Sequence, residues 1–125
     1  MWKYSFFVLI ALVGTTGQIL FKLGVNQVSP LLPKTSSSLI PTKAIFVLLS
    51  NYLILSAILL YGIGVFIWLF TLMNFELSFA FPITAIVFVS VIFFSWILLN
   101  EHISLLRITG TFLITIGVII IFFTK

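Results

Sequence analysis

A glutamine and a lysine four residues apart stand inside the first apolar stretch of the chain. Gln18 and Lys22 therefore share one face of a helix, and the small residues at 14–17 precede them. A cation beside an amide suits an anionic group such as phosphate, bound in a polar cavity between helices. A lysine near the end of a membrane helix also commonly does no more than extend its ammonium to the interface. The spacing leaves both interpretations open.

A second polar segment opens the third apolar stretch. Glu76 stands where a helix dipole favours an acid, so a capping role alone would explain it. Pro82 has no amide hydrogen to donate to the Ser78 carbonyl, which leaves an acceptor one turn inside the predicted helix. That carbonyl either binds water or lines a cavity. We therefore count Glu76, Ser78 and Pro82 among the candidate substrate contacts.

Two aromatic residues and one further cation complete the predicted substrate-binding set. Tyr61 and Trp68 lie in the second apolar stretch, where aromatic residues are more often lipid contacts than parts of a ligand cage. Arg107 opposes the dipole at the start of the fourth stretch, so we expect it to have a partner. Glu101, Glu76 and the substrate itself are the candidates.

Catalysis and metal binding find little support in the residue types present. The chain has one histidine and no cysteine, and no second ligand stands at metal-binding spacing from His102. No nucleophile with a neighbouring base is evident. We predict that the protein is not an enzyme and has no metal or cofactor, and that Glu101 caps a short connection.

Composition identifies the solvent around the protein. Of 125 residues, 62% are hydrophobic and only 6% are charged, whereas a soluble domain is roughly 45–50% apolar and about 25% charged. So few charges would not cover a water-facing surface, which excludes a soluble enzyme and a disordered chain. The net charge of +4 comes from dispersed cations, without the basic cluster that a nucleic-acid partner requires. Membrane lipid is the expected surrounding.

Four stretches are long and apolar enough to cross a bilayer as helices. They predict an all-α membrane protein with one four-helix domain over residues 1–125, and the first stretch is taken as a transmembrane helix and not a signal peptide. Residues 43–50 are apolar but too short to span, which favours a helix lying on the bilayer. An earlier start and a tilt of the second helix is the alternative. The predicted helices cover about 4–23, 52–73, 77–99 and 104–123.

The connections predict how the helices are arranged. Those at 74–76 and 100–103 are short, so the last three helices must pack as antiparallel neighbours. Cations at the two sides of the membrane are nearly balanced, which suits a protein that inserts in both orientations. Gly110 and Gly117 lie seven residues apart on one stripe of the fourth helix. Because four helices are few to enclose a substrate, we predict that this stripe is a dimer contact; packing within one chain is the alternative.

Three segments in this order resemble the small members of the drug/metabolite transporter superfamily, in the branch that includes EamA-like proteins. The segments are 17–22 in the first helix, 77–82 opening the third, and 100–104 before the glycines of the fourth. The resemblance covers most of the chain outside 25–42. It implies a bundle like that of the small multidrug resistance transporters, dimerisation with an identical or paralogous chain, and a multi-pass location in the inner membrane.

Two subfamilies within that resemblance imply different substrates. Small multidrug resistance transporters exchange protons for cationic drugs through an acid that would match position 14, which is Gly14 here. The subunits of the aminoarabinose-phosphoundecaprenol flippase resemble this chain in Gln18, Lys22 and the motif at 80–82. The resemblance thus implies flipping of a polyprenyl-phosphate-linked sugar or a similar amphipathic metabolite. Proton-coupled efflux of small cations, with Glu76 as the carrier, and a structural subunit without transport are the alternatives.

Overall fold

The computed structural model describes residues 4–31 and 42–124, which form helices and contain no strand. Four stretches are long and apolar enough to cross a membrane, which confirms the predicted class of all-α, multi-pass membrane protein. The helices are α1 (Ser5–Val28), α2 (Thr42–Leu49), α3 (Tyr52–Leu72), α4 (Leu77–Ile83), α5 (Ile86–Leu99) and α6 (Leu105–Phe123).

The first helix is longer than the predicted 4–23. It continues past Leu23 to Val28 and ends in a 3-10 turn at Ser29–Leu31. The reason is that polar residues at a membrane edge do not break a helix, and Pro30 is the first residue after Lys22 that does. Lys22 therefore lies well inside the helix, about 9 Å along its axis from Val28 at 1.5 Å per residue.

The predicted helix 77–99 is one span built from two helices. Between α4 and α5, the amides of Thr84 and Ala85 donate to the carbonyls of Phe81 and Pro82, three residues back, at 3.1 and 3.0 Å. The Thr84 hydroxyl also donates to the Phe81 carbonyl at 2.6 Å. Pro82, one turn before this break, removes an amide from the helical ladder and its ring crowds the preceding turn, which weakens the short helix α4.

The segment before the second span is a helix of its own. α2 ends at Leu49, and Asn51 starts α3 as its N-cap, with Oδ1 accepting from the amides of Leu53 and Ile54 at 3.0 and 3.2 Å. An N-cap of this kind satisfies amides that the helix leaves without partners. α2 and α3 are thus two helices and not one longer helix. That α2 lies on the bilayer stays a prediction.

Close approach of α1 and α3 organises the fold. A Cβ placed on Gly17 would lie 2.7 Å from Tyr61 Cε2, and one on Gly24 would lie 2.6 Å from Ile54 Cγ1. Real side chains do not come so near, so only glycine permits this spacing. α1 also packs against α5, whereas α6 packs mainly on α4 and α5.

Aromatic side chains close the end of the bundle that carries the chain termini. Phe7, Phe75, Ala80 and Ile83 form the buried core there. The Phe7 and Phe75 rings lie 5.0 Å apart, and Tyr4 lies 5.7 Å from Phe122 on α6. Elsewhere most large apolar side chains are exposed, and α6 has no buried residue, as expected for helices whose outer faces contact lipid.

Candidate functional site

Lys22 and Glu101 form an ion pair at the end of the bundle opposite Tyr4 and Thr124, and Ser95 holds the carboxylate. The Lys22 Nζ lies 3.2 Å from Glu101 Oε1, and the Ser95 hydroxyl donates to Glu101 Oε2 at 2.6 Å. Both carboxylate oxygens are therefore engaged, one by α1 and the other by the last turns of α5. We call these three residues the Lys22 cluster.

A left-handed residue brings Glu101 into the cluster. Asn100 ends α5 with φ 50° and ψ 34°, and its amide donates to the Ser95 carbonyl. The Glu101 amide also points to that carbonyl, at 3.4 Å. Asparagine tolerates this conformation better than most residues. The chain therefore turns back over the end of α5, which places the Glu101 carboxylate beside Ser95.

Neighbouring groups favour the ionised form of Glu101, and the side chains of the ion pair are partly exposed. The Ser95 hydroxyl, followed by the Lys22 ammonium, holds the pKa of Glu101 below its ordinary range, and Arg107 adds a weaker attraction. The Lys22 and Glu101 side chains are 50% and 37% exposed. A soluble or membrane-borne ion can therefore reach Lys22, because neither partner is enclosed by the fold.

Gln18 lies one turn deeper than Lys22 on α1, and Tyr61 lies close to it on α3. The Tyr61 ring stacks on Phe21, with centroids 5.5 Å apart and planes inclined by 22°, and it fills the space left by Gly17. Of the predicted contacts, Gln18 and Tyr61 thus meet between α1 and α3, and Lys22 lies one turn along α1 from Gln18, on the side that reaches Glu101.

An apolar groove of about 290 Å³ runs between α1 and α5. Its lining extends from Val8 to Leu20 on α1 and from Ser90 to Leu98 on α5. The end of the groove at Leu20 and Leu98 is therefore close in sequence to Lys22 and Glu101. The Thr15 hydroxyl is buried at the groove and has no hydrogen-bond partner among the described residues. The lining of the groove is mostly apolar, and it approaches the Lys22 cluster along both helices.

Glu76 and Ser78 lie in a different place, at the end of the bundle that carries the termini. They line a cleft of about 550 Å³ together with Asn74, Phe75, Phe79, Ile121 and Thr124. Glu76 is the N-cap residue of α4, but its side chain makes no capping hydrogen bond. The predicted set of contacts is therefore not one site, because its members divide between the two ends of the bundle.

The remaining predicted contacts, Trp68, Pro82 and Arg107, lie at three separate places in the fold. Trp68 packs partly buried against the aromatic core, with its ring centroid 6.3 Å from that of Phe81. Pro82 is half-buried beside the helix break. Arg107 lies in the first turn of α6, on the same side as the Lys22 cluster, but the ion pair found among the described residues joins Glu101 to Lys22.

Glu101 is the site residue that the sequence interpretation missed, because the sequence suggests for it only a cap or a partner for Arg107 and not a place in the substrate site. The signal available was scarcity: the chain has two carboxylates, and a lysine inside an apolar helix needs one of them. Among the described residues, no three histidine, aspartate or glutamate side chains are grouped as a metal site would require. Comparisons with protein-family models, curated proteins and solved structures give no match for this chain.

Proposed function

We propose that the protein is a transporter of the EamA-like or small multidrug resistance type that flips a polyprenyl-phosphate-linked sugar, or a similar amphipathic metabolite, across the inner membrane. Lys22 carries the proposal. It is a cation on a membrane-spanning helix, half-exposed, with the Gln18 amide one turn deeper. Ammonium and amide groups both donate hydrogen bonds to phosphate oxygens.

The groove beside the cluster supports an amphipathic substrate over a purely polar one. It begins near Lys22 and continues along α1 towards Val8 with an almost wholly apolar lining. A ligand with a charged headgroup at Lys22 would keep its hydrocarbon chain in this groove or in the adjoining lipid. The charged and apolar parts of the site thus match the two parts of a lipid-linked sugar.

Substitution of Lys22 tests this function. We expect Lys22→Gln to abolish flipping of a labelled polyprenyl-phosphate sugar in reconstituted vesicles, and Lys22→Arg to retain part of it, because both cations contact phosphate. Lys125→Gln, which removes the same charge from the last residue of the chain, is the matched control. Normal flipping by a well-inserted Lys22→Gln protein would contradict the proposal.

Export of cations is the competing function, and the position of Glu76 favours it. Glu76 lies in the larger cleft without capping a helix, so its carboxylate is open to a cation. Cells expressing the protein should then resist cationic dyes, and Glu76→Gln should remove that resistance. Resistance that depends on Glu76 would reverse our assignment.

We further propose that the working unit is a dimer, with a second copy or a paralogue packed on α6. A Cβ placed on Gly110 or Gly117 would meet no atom of the described chain within 4 Å. A leucine there therefore has room in the monomer, which makes Gly117→Leu a clean test of the interface. We expect it to reduce cross-linked dimer in detergent several-fold while leaving the yield of folded protein unchanged; unaltered cross-linking would show that this stripe is not the interface.

A further inference from the structure

We propose that Glu101 is a built-in competitor for the substrate: it pairs with Lys22 while the site is empty and releases Lys22 when an anionic headgroup binds. This inference rests on the proposed function and adds the regulation of the same site. Its geometrical basis is that Glu101 Oε1 already holds a position on Lys22, 3.2 Å from Nζ, that a phosphate oxygen would take.

Simultaneous binding of both anions is unfavourable. A phosphate on Lys22 would stand within a few ångströms of the Glu101 carboxylate, and like charges at such separation repel unless water screens them. Glu101 can move away, since it lies on a connection and not within a helix, and more than a third of its side chain is exposed. Exchange of one anion for the other therefore relieves the repulsion.

Glu101 also supplies a counter-ion to Lys22 when no ligand is bound. A bare ammonium on a membrane-spanning helix is unfavourable, so Lys22 needs a counter-ion whenever no ligand is present. Glu101 supplies it, and the Ser95 hydroxyl fixes the carboxylate at 2.6 Å in the pairing position. Release of the product is then assisted, because Glu101 returns to Lys22 as the headgroup leaves.

Binding of farnesyl phosphate, a short prenyl phosphate, to the purified full-length protein in detergent tests the exchange. We expect Glu101→Gln to bind it about fivefold more tightly than the unaltered chain, as befits loss of an exposed ion pair that competes. His102→Gln, a change at the adjacent exposed residue, should leave the affinity unchanged. Unchanged affinity in Glu101→Gln would overturn the proposal.

Ser95→Ala distinguishes exchange from simple repulsion. It leaves the charge of Glu101 in place but removes the hydroxyl that holds the carboxylate on Lys22, so exchange predicts about twofold tighter binding. Repulsion without exchange predicts no change and would refute our inference. Ser56→Ala is the matched control, since the Ser56 hydroxyl donates within its own helix, to the Leu53 carbonyl. Thermal unfolding of each variant confirms that it is folded.

Two further outcomes separate this inference from the function beneath it. In vesicles, Glu101→Gln should lower the KM for flipping and also slow turnover, because release has lost its competitor. If Lys22→Gln abolishes farnesyl phosphate binding while Glu101→Gln leaves it unchanged, the transport site stands and the competitor is refuted. If Lys22→Gln binds and flips normally, the proposed function itself fails. Inorganic phosphate, tested in parallel, shows whether the headgroup alone produces the exchange.

Discussion

The glycines of α1 lie against another helix, whereas those of α6 are open. On α1, Gly17 and Gly24 are overlaid so closely by α3 that a Cβ would come within 3 Å of Tyr61 or Ile54. On α6, Gly110 and Gly117 face no part of the described chain. Lipid is as apolar as the helices, so helices associate in a bilayer through close packing. The first pair of glycines supplies that packing inside the chain, and the second pair leaves an unused surface for it.

The two regions also differ in how their helices begin. Asn51 caps α3 with two side-chain hydrogen bonds and donates a third, at 3.0 Å, to Gln27 on α1. Ser104 occupies the same position on α6 but makes no side-chain capping bond. α1 and α3 are thus joined by close packing and by polar contacts, whereas α6 packs on α4 and α5 without a side-chain cap at its start.

The largest expected effect comes from filling the tight region. We expect Gly24→Ala to lower the free energy of unfolding by about 1–3 kcal/mol, as overpacking does, because its Cβ would lie 2.6 Å from Ile54 Cγ1 and 3.0 Å from the capping Asn51 Oδ1. Gly110→Ala should leave that free energy almost unchanged. Unfolding by SDS in mixed micelles measures both, and equal effects at the two sites would contradict the contrast.

Removing the cap gives an intermediate effect. Asn51→Ala should cost about 1 kcal/mol, the typical value for loss of an N-cap side chain. Ser104→Ala is the natural counterpart on α6 and should cost much less, since no capping bond is lost. The same unfolding experiment applies. A loss in Ser104→Ala as large as that in Asn51→Ala would mean that the two helix starts are equally held.

The smallest expected effect is the pH dependence of the stability that the Lys22 cluster contributes. The hydrogen bond from Ser95, followed by the pairing with Lys22, lowers the pKa of Glu101 in the folded protein. These contacts therefore contribute stability above the ordinary carboxyl pKa, and the contribution is lost as the pH falls through the lowered value. Arg107 faces the same carboxylate, and His102 is its neighbour in the connection.

The measurement is the difference in thermal stability between the unaltered chain and Glu101→Gln. It should be small and positive at neutral pH. It should vanish at a pH below the lowered pKa of Glu101, where the protonated Glu101 side chain is as uncharged as the glutamine that replaces it. High salt should reduce it, since the pair is exposed. A difference that grows on acidification would contradict the assigned sign.

Apolar length is the part of this fold that the sequence predicts well. Each of the four stretches is too hydrophobic for water, and each is helical over a length sufficient to cross a bilayer, the third as two successive helices. Pro82 marks the third span as irregular, although its effect on the residues that follow is only visible in the turn at 84–85. Local physics decides these features, so a local pattern reveals them.

Contacts between helices are what the sequence leaves undetermined. Gly17 and Gly117 are both glycines within predicted membrane-spanning helices, and only the choice of packing partner makes one crowded and the other open. Lys22 and Glu101 meet because α1 packs on α5 and Asn100 turns the chain back. Neither condition is written in the spacing of the two residues, which is why Glu101 was assigned a local role.

The turn at Thr84 and Ala85 has a mechanical consequence. A continuous helix acts as a lever, and any tilt imposed at one membrane surface reappears at the other. In the third span the ladder is interrupted, with α5 packed on α1 and α6, and α4 packed on α6 and α3. The third span is therefore two segments and not one lever, so the position of α5 beside the Lys22 cluster does not by itself fix that of α4 beside Phe75.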